Sequence, residues 1–423
     1  VVLGWRVYAV CALALTAAHP FLPWWARNVV YDGISASVVV TLVVAARRST
    51  GRGRAPWYLF AVGQACYTLA DVLWTVEDSR TGGEVAFPSM LDLAYLAYYP
   101  LVVTGLLKML RLRDPGSHVG TLVDALTAGV GVALPVWILV LRPSVVDAEL
   151  PLLTRLVTVA YPVADLVLLV FTLRLALGPG RRSAPFRLLV SGVAFTIAAD
   201  LLYAITSTQG SIAPETINDV IWMLGYVPFG AAALHPSIRS LAEPGPEQLP
   251  RLTGRRIALL AAAGLLAPAV LVVNVVAGQP VDMPAFVGGS VVLCLLLVAR
   301  MAGVVRRQER TIRREQVLRA FGIELVVAAD RDAVARVVVT AGQRLVGDGY
   351  TVELVTDGAA LAPAAGPLAA GPPASGPREV RQDGAVRLVV PLVVQGETRG
   401  AVLVTGADAV EVELWASFGA IAV

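Results

Sequence analysis

Ala194-Phe195-Thr196-Ile197-Ala198-Ala199-Asp200-Leu201-Leu202-Tyr203 places one carboxylate inside an apolar run that extends from about 186 to 206. A run of roughly 20 such residues is long enough to cross the hydrocarbon layer of a bilayer as a helix. The backbone finds no water there, so the segment must satisfy its own hydrogen bonds. The same order of small, apolar, acidic and aromatic residues occurs earlier, at Ala65-Cys66-Tyr67-Thr68-Leu69-Ala70-Asp71-Val72-Leu73-Trp74. A chain that writes this segment twice is read as a duplicated membrane unit.

A second pair of segments extends the match. Leu91-Asp92-Leu93-Ala94-Tyr95-Leu96-Ala97-Tyr98-Tyr99-Pro100 corresponds to Asn218-Asp219-Val220-Ile221-Trp222-Met223-Leu224-Gly225-Tyr226-Val227-Pro228, with similar offsets (71 to 200, 92 to 219). Ten apolar runs are predicted as helices, near 1–18, 29–46, 56–76, 90–107, 119–141, 152–175, 186–206, 217–236, 256–276 and 283–305. The first eight form two copies of a four-helix unit, 1–107 and 119–236. An even number of helices per copy makes the copies parallel. The last two runs form an added hairpin, 256–305. The first run ends Leu15-Thr16-Ala17-Ala18-His19, faintly like a signal-peptide cleavage region, but it lacks a basic start and completes the repeat. It is read as a retained helix. Trp24, Trp25, Trp57 and Trp222 stand at run ends, as in interfacial aromatic belts.

Charge fixes the expected orientation. Sixteen basic residues fall in alternate gaps: Arg47, Arg48, Arg52 and Arg54; Lys108, Arg111 and Arg113; Arg181, Arg182 and Arg187; Arg239, Arg251, Arg255 and Arg256; Arg306 and Arg307. The opposite gaps hold only Arg27, Arg80 and Arg142, beside acids such as Glu77, Glu84, Asp147 and Asp282. The positive-inside rule puts the basic gaps, both ends of the membrane unit and everything after Val305 in the cytoplasm of a multi-pass plasma-membrane protein.

A mean hydropathy of +0.71 with 15% charged residues excludes a single soluble globule. The net charge of +3 follows from orientation and gives no case for nucleic acid. Lys108 is the only lysine, a bias typical of GC-rich coding. Cys11, Cys66 and Cys294 fall within apolar runs and read as packing residues, not as a disulfide or metal site. The start at Val1-Val2 and the end at Val423 inside a helical pattern read as a segment of a longer product.

After the membrane unit, 306–317 is polar and helix-prone, a linker that could carry motion or simply anchor at lipid headgroups. A small α/β unit follows over 318–423, truncated at its end. Asp330 caps a helix with an apolar face of Val334, Val337, Val338, Ala341 and Leu345. Tyr350–Val355 alternates as a strand, 358–377 is an Ala/Gly/Pro loop, 386–394 and 399–405 form a hairpin, and a closing helix starts near Ala407.

The chain holds no phosphate-binding loop, no HExxH, no Cys/His ligand spacing, and neither the Gly-Gly-Asp/Glu-Glu-Phe nor the Glu-Ala-Leu signature. It therefore has no catalytic residues, no metal site and no cofactor to assign. His19, His118 and His235 are far apart near run ends and suit caps or interfaces. The anomaly is the acids within the apolar runs: Asp32, Asp71, Asp92, Asp124, Asp165, Asp200 and Asp219. A carboxylate in lipid costs about 2.5–3.5 kcal/mol on insertion scales, so such groups face a bundle interior. Three readings stay open. Asp71, Asp92, Asp165, Asp200 and Asp219, with Trp74, Tyr95 and Trp222, line an outward cavity for a small extracellular ligand. Alternatively the acids bond helix to helix, with Arg155 and Arg174 as partners, or form an ion or proton path.

Asp124-Ala125-Leu126, Trp137, Ala160-Tyr161-Pro162-Val163-Ala164-Asp165-Leu166, Ala199-Asp200-Leu201-Leu202-Tyr203 and Gly230-Ala231-Ala232-Ala233-Leu234-His235-Pro236-Ser237 resemble the membrane region of actinobacterial signalling proteins. In that family the region precedes GGDEF and EAL domains, which make and degrade cyclic di-GMP. The segment from about Leu318 resembles a GAF domain, through Val389-Val390-Pro391-Leu392, Gly396-Glu397 and Gly400-Ala401-Val402-Leu403-Val404. The resemblance implies a sensory input module that relays a stimulus to a cyclic di-GMP output domain, as a homodimer through the linker helix and GAF-like unit. Alternatives are the input region of a sensor histidine kinase, or a transporter or channel with a regulatory tail.

Overall fold

A computed structural model describes residues 2–82, 85–113, 119–147, 149–178, 182–208, 215–241, 254–276, 278, 282–327, 330–346, 350–355, 378–382, 385–394 and 397–406. The helices are α1 (Val2–Ala18), α2 (Trp24–Arg48), α3 (Arg54–Thr81), α4 (Leu91–Arg113), α5 (Val119–Val136), α6 (Arg142–Val146), α7 (Leu152–Leu177), α8 (Ala184–Thr208), α9 (Glu215–Leu234), α10 (Gly254–Val276), α11 (Met283–Val327) and α12 (Arg331–Val346). A π-helical turn, Trp137–Leu141, joins α5 to α6. The strands are β1 (Tyr350–Val355), β2 (Arg378–Gln382), β3 (Ala385–Val394) and β4 (Glu397–Gly406).

All ten apolar runs are helical, and among the described residues eight helical segments are long and apolar enough to cross a membrane. The other two are shorter: α1 has 17 residues, and the apolar stretch of α10 is Leu260–Val276. Polarity is arranged as lipid requires. Val10, Leu152 and Val298 are about two-thirds exposed, while Ser35, Gln64, Asp71 and Asp124 are buried. The outer faces are therefore apolar and the polar groups are inside.

Local chemistry sets the helix ends. Gly82 closes α3 with a left-handed φ of 71° and donates its N–H to the Asp78 carbonyl. Ser89 and Asp92 cap α4 reciprocally: the Leu91 N–H reaches Ser89 Oγ at 3.2 Å, and the Ser89 N–H reaches Asp92 Oδ2 at 2.7 Å.

Packing closes six helices into a ring. α2 packs on α3, α3 on α4, α4 on α7, α7 on α8, α8 on α9, and α9 on α2. In the duplicated unit α2 corresponds to α7, α3 to α8 and α4 to α9. Under that sequence correspondence the α2–α9 and α4–α7 contacts are equivalent junctions. The first helices of the copies break the correspondence. α1 packs on α9, whereas α5 packs on α7 and α10.

Glycines permit the closest crossings. A Cβ on Gly63 of α3 would lie 3.4 Å from the Tyr98 carbonyl oxygen of α4, and one on Gly192 of α8 would lie 3.0 Å from that of Gly225 on α9. Close backbone approach raises dispersion and is the main source of helix adhesion in lipid. The shared core includes Trp57, Phe60, Leu106, Leu168, Leu189 and Met223. Trp57 corrects the belt expectation: it is 1% exposed, edge-on to Phe60, because the first turn of α3 faces this core. Trp24 and Trp25 are exposed, as a belt requires. The three cysteines are free, and Cys11 and Cys294 are exposed instead of packed.

The chain divides into two compact units, Val1–Met301 and Ala302–Val423. In the second, Asp330 Oδ1 accepts the Ala333 N–H at 2.7 Å and starts α12, whose Val338 and Ala341 are buried. α12 packs on β1. The sheet is four-stranded and antiparallel in the order β1-β4-β3-β2, with a bulge at Leu392/Val393. The expected first strand and hairpin are present, and β2 is an addition to them. Residues 318–327, assigned by sequence to the α/β unit, are the last turns of the 45-residue α11. The loop at 358–377 and the helix from Ala407 lie outside the described residues.

Candidate functional site

The acids of the apolar runs meet inside the ring. Asp71 of α3 accepts the Tyr95 hydroxyl of α4 at 3.0 Å and the Ser35 hydroxyl of α2 at 3.3 Å. Asp200 of α8 accepts the Trp222 indole N–H of α9 at 2.7 Å and the Tyr99 hydroxyl of α4 at 3.3 Å. Asp92 of α4 accepts the Tyr161 hydroxyl of α7 at 2.7 Å while its other oxygen caps the helix. Asp165 of α7 sits beside Asp200 and the Tyr99 hydroxyl, within hydrogen-bonding reach of both. Tyr95 and Trp222 occupy equivalent positions three residues after Asp92 and Asp219. The acid–aromatic bond between the third and fourth helices therefore occurs once in each copy.

Tyrosine pairs seal the two equivalent junctions. Tyr31 of α2 and Tyr226 of α9 meet edge-on at 5.8 Å, and Tyr161 of α7 and Tyr99 of α4 at 6.4 Å. Their edge-to-face geometry matches the ring quadrupoles. Asp71, Asp92, Asp165, Asp200, Tyr95 and Trp222, which the sequence offered with Asp219 and Trp74 as ligand-binding candidates, lie inside the ring, and Ser35, Tyr31 and Tyr99 join them there. These three carry their signal only once the helices are paired, because each bonds to the other copy or to a different helix of its own.

Trp74 is partly exposed, 39%, on the rim of α3. Asp219 is half-buried at the N-terminal end of α9, with Oδ2 3.8 Å from His19 Nε2. His19 is fully buried, yet neither ring nitrogen has a hydrogen-bond partner among the described residues. Burial, and then the Arg27 charge, push its pKa below the usual 6.5. Asp219 favours the opposite shift, but at 3.8 Å without a hydrogen bond it does not offset desolvation. His235 caps the end of α9, taking the Ser237 N–H at 3.2 Å on Nδ1.

The expected arginine partners are a correction. Neither Arg155 nor Arg174 hydrogen-bonds to these acids, and the Nε of each is buried without a partner among the described residues. The donors are neutral hydroxyls and an indole, which need no desolvated cation. Ion pairs occur instead on α5. Asp124, fully buried, accepts Arg256 Nε of α10 and Arg300 Nε of α11, each at 2.6 Å. At the other end of the same segment, Asp282 accepts the Trp137 indole N–H at 2.9 Å and lies 3.5 Å from Arg142. The Trp137 bond, then the Ala285 N–H, hold the Asp282 carboxyl below the usual carboxylate range. The α5–α6 segment is thus pinned to α11 near both ends of the span.

A cavity of about 20 Å³ lies between α5, α7 and α8, lined by Asp165 among apolar neighbours that include Val132, Pro162 and Leu201. Comparisons with protein-family models, with curated proteins and with solved structures found no match.

Proposed function

We propose that the chain is a membrane-embedded sensory input module of a bacterial signal-transduction protein. The observation that carries this reading is α11. It starts in an apolar segment of membrane-spanning length and continues without interruption to Val327, over 45 residues. At about 1.5 Å per residue it is some 65–70 Å long, more than twice the hydrocarbon thickness. A helix of this kind carries a displacement out of the bilayer. The pins Asp124–Arg300 and Trp137–Asp282 couple it to α5, and α5 packs on α7 of the ring. A change in the acid–aromatic network therefore has a mechanical route to α11.

In this reading the basic gaps face the cytoplasm, the network faces outward, and the α12–sheet unit is a GAF-like relay. Two copies pair through the polar half of α11 and hand the signal to an output domain of the cyclic di-GMP class. What supports these finer points is the arginine asymmetry and the sequence resemblance. Spin labels at residues 309 and 324 of the full chain in liposomes test the relay. Mobility or inter-label distance changes with stimulus, with no solute flux across the bilayer.

A transporter is the second reading, favoured by one observation: Pro100 of α4 and Pro228 of α9 stand inside the helix at the same position in both copies. Solute-dependent flux into sealed liposomes selects it and contradicts the sensor.

A further inference from the structure

One difference between the two copies of the repeat falls at equivalent positions of their second helices inside the ring. In the first, Ser35 of α2 donates a hydroxyl hydrogen bond to Asp71 of α3. In the second, the residue equivalent to Ser35 is Asp165 of α7, which lies within hydrogen-bonding reach of Asp200 of α8 and of the Tyr99 hydroxyl of α4. An ionised carboxylate only accepts hydrogen bonds. A bond between two carboxyl groups therefore requires a proton on one of them, and two ionised carboxylates in contact would repel each other.

A second observation bears on the same place. Asp165 is 7% exposed, and its Oδ1 has no hydrogen-bond partner among the described residues. The side chain lines the cavity of about 20 Å³, whose other walls come from Val132 and Val136 of α5, Pro162 and Leu166 of α7, and Ile197 and Leu201 of α8. That volume accommodates one water molecule. It does not suit a hard metal cation, which takes six or more oxygen ligands. The described residues contain no cluster of three metal-ligating side chains.

The groups that face the pair are neutral hydroxyls and an indole, with Asp92 beyond Tyr161 and Asp71 beyond Tyr67. α4 presents Tyr98 and Tyr99, α3 presents Tyr67, α9 presents Trp222, and Tyr161 of α7 lies near Asp200. α5 contributes only valines to the cavity. No ion pair within 4.0 Å involves either carboxyl group among the described residues.

We propose that Asp165 and Asp200 form a proton-binding site, in which two carboxyl groups share a single proton that reaches them through one water molecule in the adjoining cavity. No bond other than O–H forms or breaks, and the proton comes from the aqueous phase as hydronium. The site is a chemical property of the duplicated ring and does not rest on the signalling reading.

Infrared difference spectra of the full chain in lipid nanodiscs, recorded as pH is stepped, test the proposal. The expected result is a protonated-carboxyl C=O band that shifts in D2O, declines as pH rises, and is lost in Asp165→Asn. Asp165→Ser guards against a folding failure, because it restores the Ser–Asp arrangement the fold already holds at Ser35 and Asp71. It too should lose the band. A band that persists unchanged in both variants overturns the proposal. So does removal of the band at constant pH by sodium or potassium ions, which would make the pair an alkali-cation site.

Discussion

The Tyr95 hydroxyl donates to Asp71 across 3.0 Å, and the bond bridges α3 and α4 at the position where Trp222 and Asp200 bridge α8 and α9. The two bonds are equivalent under the duplication. Removing either donor should have a similar effect: Tyr95→Phe and Trp222→Phe should each lower stability by about 1 kcal/mol, the usual size of an interhelical hydrogen bond in lipid. Chemical denaturation in mixed micelles measures this. A loss at one position and none at the other would contradict the equivalence.

Asp124 holds two arginines at once, so its removal differs from removal of either partner. Asp124→Asn strands two buried guanidinium groups, and breaking a buried ion pair costs about 3–5 kcal/mol. Arg300→Gln leaves the Arg256–Asp124 pair intact and should cost clearly less. The comparison is read from thermal unfolding of the two variants side by side. Equal losses would show that Asp124 does not bridge α10 to α11.

The glycine crossings predict an asymmetry between the copies. At Gly192 an added methyl meets the Gly225 carbonyl at 3.0 Å, a backbone atom that cannot rotate away. At Gly63 the nearest atom is a Val102 methyl at 3.2 Å, which can shift. Gly192→Ala should destabilise by about 1–3 kcal/mol, the range for overpacking. Gly63→Ala should cost less, and a reversed order in the melting temperatures would contradict the packing.

His19 gives the unit an acid sensitivity. Burial and Arg27 keep its imidazole neutral in the fold, below the usual 6.5. The unfolded chain binds a proton near that value while the folded chain resists it, so stability is full above about 6.5 and falls as pH drops below it. The melting temperature of the native chain should therefore decline more steeply between pH 7 and pH 5 than that of His19→Gln. Identical slopes would show that His19 protonates freely in the fold.

Much of this architecture was legible because lipid makes helix placement a matter of run length, and all ten runs are helical. The Asp71/Asp200 and Tyr95/Trp222 correspondences were also legible, since a duplication preserves spacing. The ring closure was not. Tyr31–Tyr226 and Tyr99–Tyr161 join residues of different copies, and nothing local to Tyr31 announces that α2 meets α9. Arginine partners were expected because charge is easy to see in an apolar run, whereas hydroxyl and indole donors look like ordinary packing. The true ion pairs of Asp124 reach Arg256 and Arg300, far along the chain.

Orientation underlies the functional account, and thiol labelling tests it most directly. With the three native cysteines replaced, single cysteines are placed at exposed positions: Arg52→Cys between α2 and α3, Glu149→Cys between α6 and α7, and Thr351→Cys in β1. An impermeant maleimide should label Glu149→Cys in intact cells, and should label Arg52→Cys and Thr351→Cys only after the membrane is opened. Labelling of Arg52→Cys or Thr351→Cys in intact cells, with Glu149→Cys protected, would contradict the account.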